Sequence, residues 1–418
     1  MINLEIPRKF DQLIAQAHQA AAEVLRPNSR RYDTAEHERP KELDMLAAVI
    51  DGMREGGQMN GAGATGTGSR AEAGADGDGS EGSAGSAPSD GSTRNGSNMA
   101  TLLGLIEMCW GDVGMLLAMP RQGLGQAAIA AVADDEQMRR FGGKWAAMAI
   151  TEPEAGSDSA AIRTTAVYDE ATEEYVLNGE KIYVTSGDRA ELIVVWATLD
   201  RSAGRDAIKS FVVERDNPGL RLDRLEHKLG IRASDTANFV LEDCRVPKEN
   251  LLGSPEIRQG FAGVMKTFDN TRPLVAGMAV GVARACLERT RELLAEGGIE
   301  IDYDRPAHLQ PAAAAEFIAM EADWEAARLL ALQAAWMADN RMPNSLQASM
   351  AKAKAGRMGT DVALRCVALC GAAGLGEAEL LEKWARDAKI LDLFEGTQQI
   401  QLLIVARQLL GLSSAQLR

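Results

Sequence analysis

The sequence is poor in residues that bind metal ions or form cross-links. It has 5 cysteines, which are Cys109, Cys244, Cys286, Cys366 and Cys370, and none belongs to a C-x-x-C pair. Its 4 histidines, His18, His37, His227 and His308, are equally scattered. Cys366 and Cys370 have the spacing to share a helix face, but no histidine lies near them in sequence. We interpret the cysteines as small buried hydrophobic residues and assign no metal site.

Basic charge is also scarce. The chain has 45 Lys and Arg against 60 Asp and Glu, so its formal net charge is −15 at pH 7. A protein with this excess of acid has no large basic field to hold phosphates, which argues against a nucleic-acid or acidic-membrane partner. A local basic pocket for a small anionic ligand stays open as an interpretation.

The sequence shows no clear targeting or membrane signal. Its first residues, MINLEIPRKFDQLIAQAHQ, lack a basic start followed by an apolar core, so they do not resemble a secretory signal. We find no apolar run that is long enough to span a bilayer. We therefore expect a soluble cytoplasmic protein without a membrane partner.

Helical and β patterns follow one another in blocks. Apolar residues at helical spacing, as in FDQLIAQAHQAAAEVL, occur on both sides of residues 56–98. That segment is mostly Gly, Ser, Ala and Asp, a composition typical of a flexible insert. From Trp145 the pattern alternates, and turn signals at Asn178–Gly179 and Asn217–Gly219 separate β-branched runs. After about Pro255 long Ala- and Leu-rich stretches are helical again.

These blocks predict an α+β fold in which a β domain interrupts helical regions. We expect an N-terminal helical domain over residues 1–146, which contains the low-complexity insert 56–98. A central β domain should follow over residues 147–255. A C-terminal helical bundle should occupy residues 256–418.

The stretch LFEGTQQIQ places a lone carboxylate at a corner between two helices. Thr397 is a plausible N-cap of the second helix, and Gly411 is a plausible stop. The preceding helix should end at Phe394. Next to apolar neighbours, Glu395 would be partly desolvated, which raises the pKa of a carboxyl group towards values that suit proton transfer. The alternative is that Glu395 only favours the positive end of the following helix. The glycine beside it, Gly396, lets the backbone approach a ligand closely.

A second stretch, AITEPEAGSDSAA, predicts a loop at the entrance to the β domain. Pro153 and Gly156 prevent a regular helix. Thr151, Ser157 and the backbone N–H groups around Gly156 have the chemistry of a donor-rich concavity for a phosphate or a polar ring edge. Taken alone, the stretch also fits an ordinary turn.

Together with other motifs, these two stretches resemble the acyl-CoA dehydrogenase family of flavoproteins. The motifs occur in the family's order and close to its spacing, and the resemblance covers nearly all of the chain outside the insert. They are AITEPEAGSD, LNGEKIYVTSG, KLGIRASDTANFVLEDCRVPKENLLG, FDNTRPLVAGMAVG and RDAKILDLFEGTQQIQLLIVARQLLG.

The resemblance implies an activity for Glu395. In this family a glutamate at its position removes the α-proton of an acyl-CoA thioester while hydride passes to FAD, which gives a trans-2-enoyl-CoA. The backbone N–H of the same residue and a ribityl hydroxyl of FAD polarise the thioester carbonyl. The electrons are then expected to pass to an electron-transferring flavoprotein.

The resemblance also implies the binding residues. Those expected to line the flavin ring and the thioester end of the substrate are Met148, Ile150, Thr151, Gly156 and Ser157. Tyr183 and Thr185 match the family's W-x-T beside the flavin, with an aromatic ring retained, although alone they fit one face of an ordinary strand.

The remaining expected contacts lie in the C-terminal region. Thr397 and Gln399 match contacts to the adenosine diphosphate part of FAD. Asp269 and Arg272 match residues near CoA, and Gly396 belongs to the expected substrate site. For Arg272, a salt bridge at a helix end is the open alternative.

Two family motifs that serve a neighbouring subunit's FAD are degraded. The R-x-x-F-G motif falls in ELLAEGGIEIDY, where Glu296 or Gly297 takes the position of the arginine, and a carboxylate would repel a pyrophosphate. The Q-x-x-G-G-x-G motif appears as ALCGAAG over Ala368–Gly374. We expect a heteromer, such as an α2β2 tetramer, in which a related chain supplies the arginine. The alternative is a homo-oligomer, such as a homotetramer, that binds FAD weakly or compensates elsewhere.

Two other functions stay open. An oxidase-like relative would use the same fold on acyl-CoA. A non-catalytic subunit of a hetero-oligomeric flavoprotein would keep the fold without the reaction, although the presence of Glu395 argues against it.

Overall fold

The computed structural model describes residues 6–55, 95–121, 124–256, 262–413 and 416 of the chain. Most of the predicted insert 56–98 therefore lies outside the described residues. The side chains of residues 51–55 and 262–270 lie outside them as well.

The N-terminal region is helical, as its apolar spacing predicts. Helix α1, Asp11–Ala20, continues through a single π turn, Ala21–Leu25, into α2, Arg26–Thr34. Helix α6, Asp135–Phe141, begins at a capping box, in which Asp134 and Gln137 exchange side-chain and backbone hydrogen bonds. The helices are α1 Asp11–Ala20, α2 Arg26–Thr34, α3 Glu42–Glu55, α4 Ser97–Leu117, α5 Leu124–Val132 and α6 Asp135–Phe141.

Helix α4 runs through the centre of the helical region, and its start is held by another helix. The carboxylate of Asp339 accepts hydrogen bonds from the backbone N–H groups of Gly96 at 2.7 Å, Asn98 at 2.9 Å and Met99 at 3.1 Å. These N–H groups at a helix start have no partner within their own helix, so the carboxylate of Asp339 acts as a cap supplied from a distance. The first turn of α4 is thereby fixed.

The prediction that no segment could span a membrane was wrong, because two helices are long and apolar enough to do so. Helices Ser97–Leu117 and Ser345–Leu375 both meet that criterion. However, 83% of the apolar window of the first helix is buried inside the protein, and 39% of that of the second. The apolar character of Ser97–Leu117 is therefore explained by core packing.

The central region is a seven-stranded sheet. Its strands are β1 Ala146–Ala149, β2 Thr165–Asp169, β3 Glu174–Thr185, β4 Leu192–Thr198, β5 Ile208–Glu214, β6 Leu220–Leu225 and β7 Thr236–Pro247. The strand order is β1-β4-β2-β3-β7-β6, and β5 pairs with β4. Strand β1 is parallel to β4, whereas the β3–β7 and β6–β7 pairs are antiparallel.

The sheet differs from the sequence prediction in its details. Strands β1 and β6 were not predicted. The first is too short and too uniformly apolar to show alternation, and half of the side chains of the second are charged. The turn predicted at Asn178–Gly179 is wrong, because β3 continues through it with a bulge, where the Asp243 N–H donates to Asn178 at 2.8 Å. The turn at Asn217–Gly219 is confirmed.

The C-terminal region is a bundle of long helices. They are α7 Ala262–Glu296, α8 Ala312–Asp339, α9 Ser345–Leu375, α10 Leu381–Ala388 and α11 Gln398–Leu410. A 3₁₀ turn, Lys389–Asp392, follows α10. Buried residues of the π turn Ala21–Leu25, of α2 to α4 and of α7 to α10 form one continuous hydrophobic core, and partly buried side chains of α1 pack against it. The predicted α+β arrangement of helices on both sides of a β domain is confirmed, and the exact domain boundaries stay predictions.

Candidate active site

The chain turns sharply between α10 and α11. Glu395 and Gly396 both have left-handed backbone conformations, with φ of 54° and 89°. Glutamate rarely adopts this conformation, which costs about 1–2 kcal/mol for a residue with a Cβ atom. The predicted corner, the Thr397 cap on Ile400 at 3.3 Å and the Gly411 stop are confirmed. The preceding helix ends earlier than predicted, at Ala388, because the chain passes into the 3₁₀ turn.

Buried side chains hold both carbonyl groups of this corner. The Gln401 amide donates to the Glu395 carbonyl at 3.0 Å and to the Gly396 carbonyl at 3.4 Å. The Lys352 ammonium donates to the Gly396 carbonyl at 2.6 Å. A Cβ atom on Gly396 would come within 2.4 Å of the Gln401 amide nitrogen. The φ of Gly396 therefore favours glycine, and a Cβ atom there would also displace the Gln401 amide.

The Glu395 carboxylate lies among groups from helices α7 and α9. The Thr271 hydroxyl donates a hydrogen bond to it. Burial raises the pKa of Glu395, and the hydrogen bond from Thr271 and the charges of Lys352 and Arg272 offset only part of that rise. A carboxylate with a raised pKa is a stronger proton acceptor than an exposed one, so this corner has the chemistry of a general base.

Of the two residues expected near CoA, only Arg272 has a side chain among the described residues. Arg272 lies within α7 rather than at a helix end, and only 3% of its surface is exposed. Its positive charge acts on the Glu395 carboxylate. The side chain of Asp269 lies outside the described residues, so its expected role stays a prediction.

A second group of expected residues lies on the β domain. The loop after β1 runs along β3: the Ile182 N–H donates to the Thr151 carbonyl at 2.9 Å, and the Lys181 ammonium donates to the Ile150 carbonyl at 3.1 Å. Tyr183 on this strand is 61% exposed, and its backbone φ is 59°. Half-buried side chains on the loop and strand are Met148, Ile150, Thr151 and Thr185, and Gly156 and Ser157 are exposed.

This β-domain face fits a flat ring system with polar edges. An exposed aromatic ring in a strained backbone conformation is unusual on a protein surface unless it contacts a ligand. Apolar and hydroxyl side chains beside the ring provide both stacking area and hydrogen-bond donors. The structure thus places the expected residues in two groups, one on the β domain and one at the corner that contains Glu395, Gly396, Thr397 and Gln399.

A buried ion pair fixes the β-domain loop to its strand. The Glu152 carboxylate accepts from the Lys181 ammonium at 2.7 Å, and from the Thr164 N–H at 3.0 Å and its hydroxyl at 2.5 Å. Burial lowers the pKa of Lys181 to about 8. Burial alone would raise the pKa of Glu152, but Lys181 and Thr164 bring it below its ordinary value. The charged pair holds the loop in place.

Sequence reasoning missed the supporting residues Thr271, Lys352, Gln401, Glu152 and Lys181. Four of them stand inside quoted motifs, TEPEAG, NGEKIY, FDNTR and LFEGTQQIQ, which gave these four residues no role. Lys352 gave a weaker signal, since either of the two lysines in the Ala-rich stretch ASMAKAKAG fits a solvated helix position. Gln401 reads as a polar position of an amphipathic helix.

Away from the corner, the structure brings together two histidines that seemed scattered. Possible ligand atoms of Glu36, His37 and His227 all lie within 4.8 Å of one another. The Glu36 carboxylate already accepts from the Lys228 N–H at 2.7 Å and contacts His227 Nδ1 at 3.0 Å. Positive charges of Lys228 and Arg232 also act on Glu36, which disfavours a divalent cation there.

Comparison with known families gives matches over most of the chain. The family described as acyl-CoA dehydrogenase, middle domain, matches residues 147–244. The family described as acyl-CoA dehydrogenase, C-terminal domain, matches residues 258–410. The second match contains the Glu395 corner, and the first contains the Tyr183 face.

Individual proteins are similar to the chain as well. The short-chain specific acyl-CoA dehydrogenase of Rattus norvegicus mitochondria is 38% identical over 274 residues, 64% of this chain and 64% of the rat protein, so slightly less than two thirds of that relative is spanned. The acryloyl-CoA reductase (NADH) of Anaerotignum propionicum is 35% identical over 271 residues, 64% of this chain and 67% of that protein. The structure of butyryl-CoA dehydrogenase from Megasphaera elsdenii has a TM-score of 0.80 at 26% identity and covers 98% of this chain and 100% of its own.

Proposed function

This chain belongs to the acyl-CoA dehydrogenase family, as its motifs predict, and on that premise we propose that it desaturates an acyl-CoA thioester between the α- and β-carbons. The observation that carries the proposal is the Glu395 carboxylate, which sits on a strained corner with a pKa raised by burial. In its ionised form Glu395 takes the α-proton of the thioester.

The corner also serves the thioester carbonyl. A positive φ at Glu395 and Gly396 turns the backbone so that an N–H of the corner is not used by a regular helix. The Glu395 N–H is the proposed donor to the carbonyl oxygen, where negative charge develops as the α-proton leaves. The side chains of Lys352 and Gln401 fix the corner carbonyls and thereby the direction of this N–H.

The residues on the β domain fit the cofactor of this family. FAD supplies the hydride acceptor when it is bound. Tyr183, Met148 and Ile150 would pack against its flavin ring, and Thr151, Ser157 and Thr185 would bond its polar edge. Thr397 and Gln399 lie at the start of α11, where backbone N–H groups carry partial positive charge that suits a pyrophosphate.

The electron acceptor is proposed from the family alone. An electron-transferring flavoprotein would collect the electrons after the acyl group has been desaturated. The proposed substrate class is the acyl-CoA thioesters.

The experiment that tests the function compares wild type with Glu395→Gln. Both proteins are expected to bind FAD and to be yellow. An acyl-CoA panel under anaerobic conditions should bleach the flavin of the wild type and leave that of Glu395→Gln unchanged, since an amide cannot take the α-proton. Glu170→Gln, which alters an exposed carboxylate in the β2–β3 turn, is the matched control and should bleach like the wild type.

Two results would contradict the proposal. A Glu395→Gln protein that bleaches at the wild-type rate would remove Glu395 from the chemistry. A wild-type protein that binds FAD but is bleached by no acyl-CoA would favour the non-catalytic subunit instead.

For the assembly, we propose that this chain pairs with a related chain in an α2β2 tetramer. Helix α7 ends at Glu296, and the glycine pair that follows has no cationic side chain where the family places an arginine. In α9 the helix is broken at Gly371, which has a φ of 55°, inside the degraded motif. Leu375, next to this motif, is 71% exposed, which suits a subunit contact.

Flavin counting tests the assembly. Co-expression with a related chain should give a tetramer that holds half as many FAD molecules as subunits, and light scattering with flavin absorbance measures both. A stable homotetramer of this chain with one FAD in every subunit would refute the heteromer.

A further inference from the structure

Helix α9 places a buried lysine beneath the Glu395 corner. Lys352 has no exposed surface, and its ammonium donates to the Gly396 carbonyl at 2.6 Å. Its neighbours in the helix are small, which lets the chain before the corner pack closely: a Cβ atom on Gly356 would come within 2.6 Å of the Leu391 carbonyl. The lysine therefore reaches a backbone carbonyl in a site that otherwise has little room.

The charges around this lysine define a small buried network. Glu395 and Asp392 act on Lys352 with negative charge, and Arg272 of α7 acts on it with positive charge. Asp392 is itself paired with Lys389 at 2.9 Å. Around the Glu395 carboxylate, the groups that face it are Lys352, Arg272 and the neutral Thr271 hydroxyl. Lys352 thus bonds the corner backbone and also acts with its charge on the proposed proton acceptor.

The two donors to the Gly396 carbonyl differ in charge. Gln401 and Lys352 both bond the Gly396 carbonyl, but only Lys352 brings a charge. A buried ammonium is costly to desolvate, so a neutral donor would be the simpler choice if holding the carbonyl were the only requirement. Burial lowers the pKa of Lys352 to about 8, so its charge is largely retained at neutral pH.

We propose that Lys352 is a positioning residue for Glu395, which fixes the Gly396 carbonyl and supplies a positive charge that favours the ionised carboxylate. This inference rests on the proposed function of Glu395 as the base. In this proposal, a residue of a different helix sets the pH range in which Glu395 is ionised and can accept a proton. We propose no contact of Lys352 with the reacting atoms or the cofactor. Lys352 acts on Glu395 through the Gly396 carbonyl and through its charge.

The sign of the expected pH effect follows from the charge. The base must be ionised, so the rate should rise with pH through the titration of Glu395. A positive charge nearby stabilises the carboxylate, and its removal should raise the pKa of Glu395. The acid limb of the pH–rate profile should therefore move to higher pH when the charge of Lys352 is lost.

The test uses the FAD-loaded protein with its complete chain. The rate of flavin bleaching by saturating acyl-CoA is measured against pH for wild type, Lys352→Met, Lys352→Arg and Gln401→Met. For Lys352→Met we expect about a tenfold loss of rate at neutral pH, the factor that about 1.4 kcal/mol gives, together with an upward shift of the acid limb. Lys352→Arg and Gln401→Met should lose rate but keep the wild-type limb, because both retain the charge.

Lys354→Met is the matched control. Lys354 is on the same helix but pairs with Asp323 of α8 rather than with the corner. This variant should keep both the wild-type rate and the wild-type limb. Flavin content and the thermal unfolding midpoint of each variant establish that the rates come from folded, loaded protein.

If Lys352→Met loses its FAD, Lys352→Gln takes its place in the test. The glutamine side chain keeps a neutral hydrogen-bond donor and lacks the charge. A limb that moves up in the Gln variant and not in the Arg variant supports the inference. Equal limbs in wild type and in the neutral variants overturn it, even where the wild type is bleached normally. A wild type that no acyl-CoA bleaches overturns this inference and the proposed function together.

Discussion

Glu395 is a residue whose environment suits reactivity more than stability. Its backbone is strained, and its half-buried carboxyl group accepts a hydrogen bond from the Thr271 hydroxyl. Functional residues in such conformations persist only when their surroundings over-determine them. At this corner the surroundings are the side chains of Lys352 and Gln401.

We predict that Glu395→Gln is at least as stable as the wild type at pH 7. The pKa of Glu395 is raised above 4.5, so in the folded state the group binds a proton more readily than in the unfolded state. Its contribution to stability is therefore present below the unfolded pKa and is lost as pH rises through the folded pKa. An amide does not titrate and avoids that loss.

Urea unfolding at several pH values measures the effect. The stability of Glu395→Gln relative to the wild type should fall as the pH is lowered towards 4.5, the ordinary pKa of the group. A variant that is clearly less stable than the wild type at pH 7, and equally so at acid pH, would contradict the prediction.

At the scale of residues, the sequence pointed to the proposed base, Glu395, but not to the residues that support it. LFEGTQQIQ marks Glu395 because an acid, a glycine and a helix start stand next to one another. Lys352 is 44 positions from Gly396 in the chain, and Glu152 is 29 from Lys181, so these contacts exist only after folding. A helical lysine among alanines carries no local sign of burial.

At the scale of elements, helices α4 and α7 approach each other unusually closely. A Cβ atom on Gly281 of α7 would come within 2.4 Å of the Ile106 carbonyl and 2.9 Å of the Cys109 Cβ atom. On α4, Gly104 has nothing within 4 Å of the equivalent position. The two glycines therefore have different roles, although both lie inside helices.

Alanine substitutions should separate these roles. Gly281→Ala is expected to destabilise the protein by about 1–3 kcal/mol, because the helices must move apart around the new methyl group. Gly104→Ala, the matched control, should stabilise it by about 0.5–1 kcal/mol, since alanine favours a helix and the space is open. Thermal unfolding of the two variants checks both signs, and an unchanged Gly281→Ala protein would show that the close contact is readily relieved.

The elements themselves were largely predictable. Helical periodicity and alternation gave the helices and most strands, because those segments bury one face. Strand β1, with four residues that are nearly all buried, shows no alternation, and β3 accommodates Asn178–Gly179 because β7 pairs along its whole length. Pairing between distant strands overrides a local turn preference.

At the scale of the whole molecule, one buried lysine joins three regions. The Lys383 ammonium of α10 contacts Asp112 of α4 and Asp387 at 2.6 Å. Asp112 also accepts from the Ser29 hydroxyl of α2, and Asp387 accepts from the Ile231 N–H of the β domain at 2.5 Å. Burial alone would lower the pKa of Lys383, but the two carboxylates raise it above its ordinary value. Its contribution to stability is therefore fully present at neutral pH.

Lys383→Met should destabilise the entire protein. Loss of the ammonium leaves two buried carboxylates without their common partner, an effect of about 3–5 kcal/mol for buried pairs. The exposed pair of Lys144 and Glu214, 3.7 Å apart, is the control, and Lys144→Met should cost less than about 1 kcal/mol. Chemical denaturation followed by circular dichroism compares the two, and a loss for Lys383→Met no larger than for the control would refute the role of this lysine.

The cap that Asp339 places on the first turn of α4 fixes the start of this helix independently of the segment that precedes it. Because the carboxylate grips Gly96, Asn98 and Met99 from a different helix, the chain re-enters the bundle in the same register whatever the preceding residues are. A change of sequence before Gly96 that leaves this cap intact should therefore leave the position of α4 unchanged.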